Sequence, residues 1–222
     1  MGVSLRPGLC YCIANHRVIL LDLGADRYFA LPPKQDSAFQ AAILNRSAYG
    51  MNDTDLADLQ RLGVLVKTAP DAPIAPPPRI PMPRLSALDG LARAARPIST
   101  LTALLALTKA YLRVRFQSFD KIIAHLQERS IRRRKPESVG QSVPVDLISA
   151  FIATRRIAPV RDQCLAQSVA FVSYLADRGY RANLVIGVRS APFEAHAWVQ
   201  VGDTVLNDRV DTVAPYTPIL VV

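Results

Sequence analysis

Cysteine is scarce in this chain. Cys10, Cys12 and Cys164 make an odd number and no dense framework, which excludes a disulfide scaffold and points to a reducing compartment. Tryptophan occurs once and histidine three times, so few residues are available for imidazole chemistry. Long apolar runs are also missing. The longest, residues 101–112, is interrupted by Lys109 and falls short of the ~20 residues that a bilayer span needs. Residues 1–7 hold no apolar signal-peptide core, and Arg6 stands where a myristoylation motif requires Ser or Thr. The expected setting is the cytoplasm.

Acidic charge is the next shortage. Lys and Arg outnumber Asp and Glu by 27 to 18, giving +9. A basic excess suits nucleic acid, an anionic membrane or an acidic peptide, and also plain solubility. The densest basic run, Arg132-Arg133-Arg134-Lys135, falls at the end of a predicted helix, where positive charge suits the dipole. No aromatic platform or known nucleic-acid module accompanies it, so no nucleic-acid partner is expected. Peripheral contact with a membrane is left open by the charge.

What is present is a globular composition. The chain has 222 residues, half of them apolar, enough for one large or two small domains. Residues 9–13, 17–22 and 27–31 read as strands, separated by Asn15-His16 and Gly24-Ala25-Asp26. Cys10 and Cys12 share one face of the first, with no second Cys or His pair to complete a metal site, so both are read as structural. A helix is predicted over about 34–44, with Phe39 and Ile43 on one face. A second is capped by Asp53 or Thr54, carries Leu56, Leu59 and Leu62 inward and stops at Gly63. The third strand is a candidate open edge able to accept an extended peptide.

Residues 70–83 contain seven prolines. Such a stretch favours extended polyproline II and marks the clearest domain boundary, giving a domain over 1–69, a linker over 70–84 and a second domain over 85–222. Leu85, Leu88 and Leu91 start a helical period that Pro97 breaks. Residues 100–116 are apolar on most sides and read as a buried helix. Residues 119–135 carry Phe119, Ile122, Ile123, Leu126 and Ile131 along one face, and 145–157 form a further helix.

The chemistry concentrates in residues 161–209. Asp162 is a candidate N-cap, which puts Cys164 in the first turn of a helix ending at Gly179. There the helix dipole favours thiolate, and free backbone N–H groups lie close to the sulfur. Strands are predicted over 181–188 and 193–201, turning at Gly202 towards Val205-Leu206-Asn207-Asp208. If the hairpin pivots on Gly202 alone, His196 stands opposite Asp208 on the face shared by Trp198 and Leu206. A two-residue turn at Gly202-Asp203 would send Asp208 to the other face. His16 lies in a turn and His125 on an amphipathic helix, so only His196 has both a thiol and a carboxylate within one segment. Cys164, His196 and Asp208 are thus the candidate nucleophile, base and orienting carboxylate.

Cys164-Leu165, Gly179, Val185-Ile186-Gly187-Val188-Arg189, Pro192-Phe193, Ala195-His196-Ala197-Trp198-Val199 and Val205-Leu206-Asn207-Asp208 resemble the lasso-peptide B proteins, which are transglutaminase-like cysteine proteases. The resemblance spans about 145–210 and implies a catalytic triad of Cys164, His196 and Asp208, with no cofactor or metal. Residues 24–31 and 56–62 resemble, more loosely, the leader-recognition element of that family, a small PqqD-like winged-helix domain. It implies leader-binding roles for Arg27, Tyr28, Phe29, Leu56, Leu59 and Gln60.

The implied fold class is therefore α+β, a winged-helix-like first domain followed by a transglutaminase-like (papain-like) cysteine protease domain with helices on an antiparallel sheet. The implied partners are a lasso precursor peptide, cut between leader and core, and a separate ATP-dependent cyclase similar to asparagine synthetase. Two rivals stand beside this reading: an acyltransferase or transglutaminase using the same triad, in which an amine captures the thioester, and a non-catalytic carrier that only presents the precursor.

Overall fold

The computed structural model describes residues 2–44, 51–68, 74–91, 97–132, 142–157 and 164–222. Asp162, Pro159, Arg133-Arg134-Lys135 and most of the loop predicted after them lie outside these residues. The chain divides into two compact units, residues 1–78 and 79–222.

In the first unit, β2 (Leu9–Ala14), β3 (Arg17–Asp22) and β4 (Arg27–Ala30) form an antiparallel sheet in that order. Asn15 and His16 join the first hairpin with positive φ at both residues, which matches the right-handed twist of paired strands. Helix α1 (Pro33–Leu44) and helix α2 (Asp53–Arg61) follow. Asn52, rather than Asp53 or Thr54, caps α2, its side chain accepting from the Asp55 N–H at 2.7 Å. Leu59 points inward, Leu56 is half-buried, and Leu62 is exposed because the helix has already ended there.

A strand absent from the sequence reading, β1 (Gly2–Leu5), pairs antiparallel with β5 (Leu65–Thr68). The core gathers Tyr11, Val18, Leu20, Phe39, Leu59, Leu65 and Ile74. Ile74 comes from the proline-rich stretch, and the Tyr11 hydroxyl donates to the Ala75 carbonyl at 3.0 Å, so this end of the stretch packs on the first unit.

The second unit begins differently from its prediction. Residues 85–91 form no α-helix: β6 (Leu85–Ser86) makes a short parallel pairing and a 3-10 turn follows over Ala87–Gly90. The Ser86 hydroxyl accepts from Leu88 N–H, giving the backbone a local partner in place of a helical one. Pro97 starts a helix instead of breaking one, at the first position of α3 (Pro97–Phe116), where no N–H is required. That helix is not buried all round. Ala103, Leu107 and Ala110 are inside, while Leu101 (59% exposed), Leu105 (54%) and Phe116 (77%) face out, because α3 packs through one face.

Helix α4 (Phe119–Arg132) buries Phe119, Ile122, Ile123 and Leu126 as predicted, and the side chain of Ile131, the fifth residue of that face, lies outside the description. Helix α5 (Val145–Ile157) packs on α6 (Cys164–Ala176) through stacked Phe151 and Phe171 rings, 4.3 Å apart.

The sheet of this unit contains β7 (Asn183–Ser190), β8 (Phe193–Val201), β9 (Thr204–Val205) and β10 (Thr217–Val221), in the order β10-β7-β8-β9-β6. A short helix, α7 (Val210–Val213), links the last two strands. One face of the sheet packs Trp198 with Val185, Val205 and Val213.

Gly187 makes this packing fit. A Cβ there would lie 2.8 Å from the Trp198 ring and 2.8 Å from Tyr216 Cβ. Gly187→Ala must push aside the Trp198 ring and the root of the Tyr216 side chain, and such overpacking costs about 1–3 kcal/mol. A lower melting temperature is expected, together with a shifted emission from the single tryptophan. An unchanged melting curve and spectrum would contradict the close fit.

Candidate active site

Cys164 is the first residue of α6, with its thiol half-buried. The sulfur hydrogen-bonds the His196 ring and receives the backbone N–H groups of Leu165 and Ala197. His196 sits on β8 beside Ala197, so one short stretch of strand supplies both the imidazole and an amide to the sulfur. His196 Nε2 lies 2.7 Å from Asp208 Oδ2, which leaves Nδ1 for the sulfur. Asp208 Oδ1 accepts from the Arg209 N–H at 2.8 Å, and the Ser86 hydroxyl donates to the Asp208 carbonyl at 2.8 Å. The three candidate residues therefore meet in one site.

They meet by a route other than the predicted one. Val201 pairs with Thr204, so the turn uses two residues, Gly202 and Asp203. In that register a continuing strand would carry Asp208 to the wrong face. The strand does not continue: β9 ends at Val205, and the last rung is Leu206 N–H to the Val199 carbonyl. Asn207 then spends its side chain where backbone would have gone, Oδ1 accepting from Val199 N–H at 2.8 Å. The chain leaves the ladder there, and Asp208 is free to turn back to His196. The changed register also puts Val205, not Leu206, beside Trp198.

The electrostatics follow from these contacts. Burial alone would raise the Cys164 pKa, but the hydrogen bond and charge of His196 and the two amides outweigh it, and the pKa falls below its ordinary value. Burial would lower the His196 pKa, yet hydrogen bonds to Asp208 and Cys164, with their negative charges, raise it to about 9. Asp208 is held below the ordinary carboxylate value, against the effect of burial, by His196, Arg209 N–H and Thr212. Opposite shifts on a thiol and an imidazole in contact favour a thiolate–imidazolium pair near neutral pH. By contrast, burial pushes the Cys12 thiol up to about 12 and raises Cys10.

Several neighbours escaped the sequence reading. The Tyr216 ring lies 5.4 Å from the imidazole, and its hydroxyl donates to Glu194 Oε2 at 2.9 Å. Arg189 Nη2 approaches the same oxygen at 2.8 Å. Tyr216 precedes a strand that only pairing with β7 reveals, so no local signal pointed to it. Ser168, one turn after Cys164, and Asn207, beside Asp208, were within reach of spacing arguments. Among the described residues, no group of three or more His, Cys, Asp or Glu side chains could hold a metal ion. No described helix is long and apolar enough to cross a membrane.

Of the predicted leader-contact residues, Arg27, Tyr28 and Phe29 lie on β4, which among the described residues is an edge strand paired with β3. Arg27 is exposed, Tyr28 and Phe29 are half-buried, and the Arg27 guanidinium sits 5.5 Å from the Phe29 ring centre. Leu56 and Gln60 are half-buried on α2. Leu59 is fully buried in the core. It faces inward at the centre of α2, so it supports this surface without forming part of it.

A family model described as the transglutaminase-like superfamily matches residues 104–221, the segment holding Cys164, His196 and Asp208. The chain is also similar to the microcin J25-processing protein McjB of Escherichia coli, with 48% identity over 48 residues. That match covers 22% of this chain and 23% of the relative's length. It supports the resemblance to lasso-peptide B proteins noted from the motifs. No solved structure matches the chain.

Proposed function

The chain belongs to the transglutaminase-like superfamily, and on that premise we propose that it is a cysteine peptidase that separates the leader from the core of a lasso-peptide precursor. The observation that carries this reading is the contact chain Cys164–His196–Asp208 with its opposed pKa shifts. Similarity to a protein named for microcin J25 processing supports the substrate class.

In this mechanism the Cys164 thiolate attacks the carbonyl carbon at the leader–core junction. The C–N bond breaks as His196 gives its proton to the leaving amine, which becomes the core N-terminus. The leader remains as a thioester on Cys164. His196, now neutral, takes a proton from water, the hydroxyl displaces the thiolate, and the leader departs as a carboxylic acid. Asp208 keeps Nε2–H engaged and stabilises the imidazolium that forms in each cycle. The superfamily name favours one further outcome, capture of the thioester by an amine in place of water. The freed core would pass to a separate ATP-dependent cyclase.

The first unit is read as the leader-binding module, a PqqD-like winged-helix domain joined through the proline-rich stretch. Its open β4 edge offers backbone groups to an extended peptide, and Arg27, Tyr28, Phe29, Leu56 and Gln60 are the proposed contacts. Tethering the leader raises the local concentration of the cut site. Arg27→Asp combined with Tyr28→Ala is expected to weaken leader binding about tenfold or more, read by anisotropy of a labelled leader peptide. Alkylation of Cys164 should not change. Wild-type affinity in that variant would remove β4 from the binding surface.

Intact-mass analysis of a precursor peptide incubated with the protein tests the central reading. Separate leader and core masses, the leader gaining one water, support a peptidase. A leader–amine adduct supports a transferase. An uncut precursor bound equally by wild type and Cys164→Ala supports a carrier.

A further inference from the structure

Behind the three reacting residues lies a buried polar joint. Ser168 is completely buried on α6, one helical turn beyond Cys164, and Asn207 is 6% exposed immediately before Asp208. The Ser168 hydroxyl donates to the Ala197 carbonyl at 3.0 Å, next to His196. Asn207 Nδ2 donates to Ser168 Oγ at 3.1 Å, and Asn207 Oδ1 accepts from Val199 N–H at 2.8 Å. Each residue of the site thus has a close sequence neighbour in one hydrogen-bonded unit.

Apolar packing alone could hold this helix to the sheet. Ala166, Val169, Ala170 and Phe171 are all buried around Ser168. A hydroxyl and an amide in such surroundings cost desolvation that Ala or Val would avoid. What they add is direction. Dispersion tolerates small sliding and rotation of a helix, whereas a hydroxyl that both donates and accepts fixes the rotation of α6 against β8 and the exit of the chain from β9. The site needs that definition, because the Cys164 sulfur must meet both the imidazole and the Ala197 N–H.

We propose that Ser168 and Asn207 are positioning residues, a latch that sets the helix bearing Cys164 against the strand bearing His196 and the turn bearing Asp208. They touch neither substrate nor reacting atoms. Loosening the latch separates sulfur from imidazole without removing either. The activity arm of the test rests on the peptidase reading, whereas the thiol arm needs no substrate.

The test is the pH dependence of Cys164 alkylation by iodoacetamide in the full chain, followed by peptide mass mapping, for wild type, Ser168→Ala, Ser168→Thr and Asn207→Ala. Thermal melting is measured alongside. Ser168→Ala is expected to melt cooperatively and to shift the alkylation midpoint upward by about one pH unit, towards an ordinary thiol. Ser168→Thr, which keeps the hydroxyl, should return the midpoint towards wild type. With a precursor peptide, kcat should fall about 10–100-fold with KM within about twofold, as expected for misplacement of bound groups. Asn207→Ala, which leaves the Ser168–Ala197 bond intact, gives the same reading if Ser168→Ala does not fold. Wild-type midpoints in both folded variants would overturn the latch alone. An ordinary thiol midpoint in the wild type would overturn the ion pair and the latch with it.

Discussion

Cys164→Ala is expected to abolish precursor cleavage, a loss of at least about 10⁴-fold, while leaving the fold intact. The size of the effect follows from the chemistry: no other described group can supply a nucleophile in contact with His196. Loss of Sγ also removes one of the two negative partners of His196, so the imidazole pKa falls, with Asp208 still holding it up. The stability cost should be small. Sγ is half-buried at a helix start, and alanine is a good helix former, so the melting temperature should change by only a few degrees.

The same contacts make Cys164 the fastest of the three thiols to alkylate near neutral pH, since Cys10 and Cys12 are shifted upward by burial. Cleavage is followed by intact mass and alkylation by peptide mapping. Cleavage surviving in Cys164→Ala would end the covalent mechanism. Equal alkylation of Cys164 and Cys12 would deny the ion pair.

Sequence reading went furthest where a segment's own pattern decides its structure. Alternation and turn residues marked β2, β3, β7 and β8 close to their observed bounds. The Phe119, Ile122, Ile123 and Leu126 period identified the buried face of α4. It failed where identity comes from a distant partner. β1 is a strand because residues 65–68 pair with it, and β10 because residues 185–188 do. Neither carries a local signal of comparable strength. Leu85, Leu88 and Leu91 had helical spacing, but Ser86 satisfies the local backbone and ties the segment to Asp208.

The site itself was legible as residue types and spacing, not as geometry. The register was one residue away from the expected value. The His196–Asp208 contact exists because Asn207 ends the ladder, a side-chain event that strand alternation cannot foresee.

Asp208→Asn separates hydrogen bonding from charge, and here the pH profile carries the argument. In the wild type, activity requires thiolate and imidazolium together. The acid limb reports loss of the thiolate, below the ordinary cysteine value. The alkaline limb reports loss of the imidazolium proton near pH 9. The two limbs belong to the pair as a unit. An amide at position 208 can still accept from Nε2–H but brings no negative charge, so the His196 pKa falls and the alkaline limb moves to lower pH. A less charged imidazole stabilises the thiolate less, so the acid limb moves up. The active window narrows from both sides, and the rate at its centre should drop by about 10²–10⁴-fold.

Stability follows the same sign. A histidine with a raised folded pKa stabilises the fold fully below its unfolded value, near 6.5, and loses that contribution as pH rises through about 9. The lowered Cys164 pKa works in the opposite sense over the same range, so the sign is read from the difference between the two proteins: the melting-temperature advantage of the wild type over Asp208→Asn should shrink between pH 7 and 10. Parallel pH curves for the two proteins, in rate and in melting, would mean that Asp208 orients the ring without charging it.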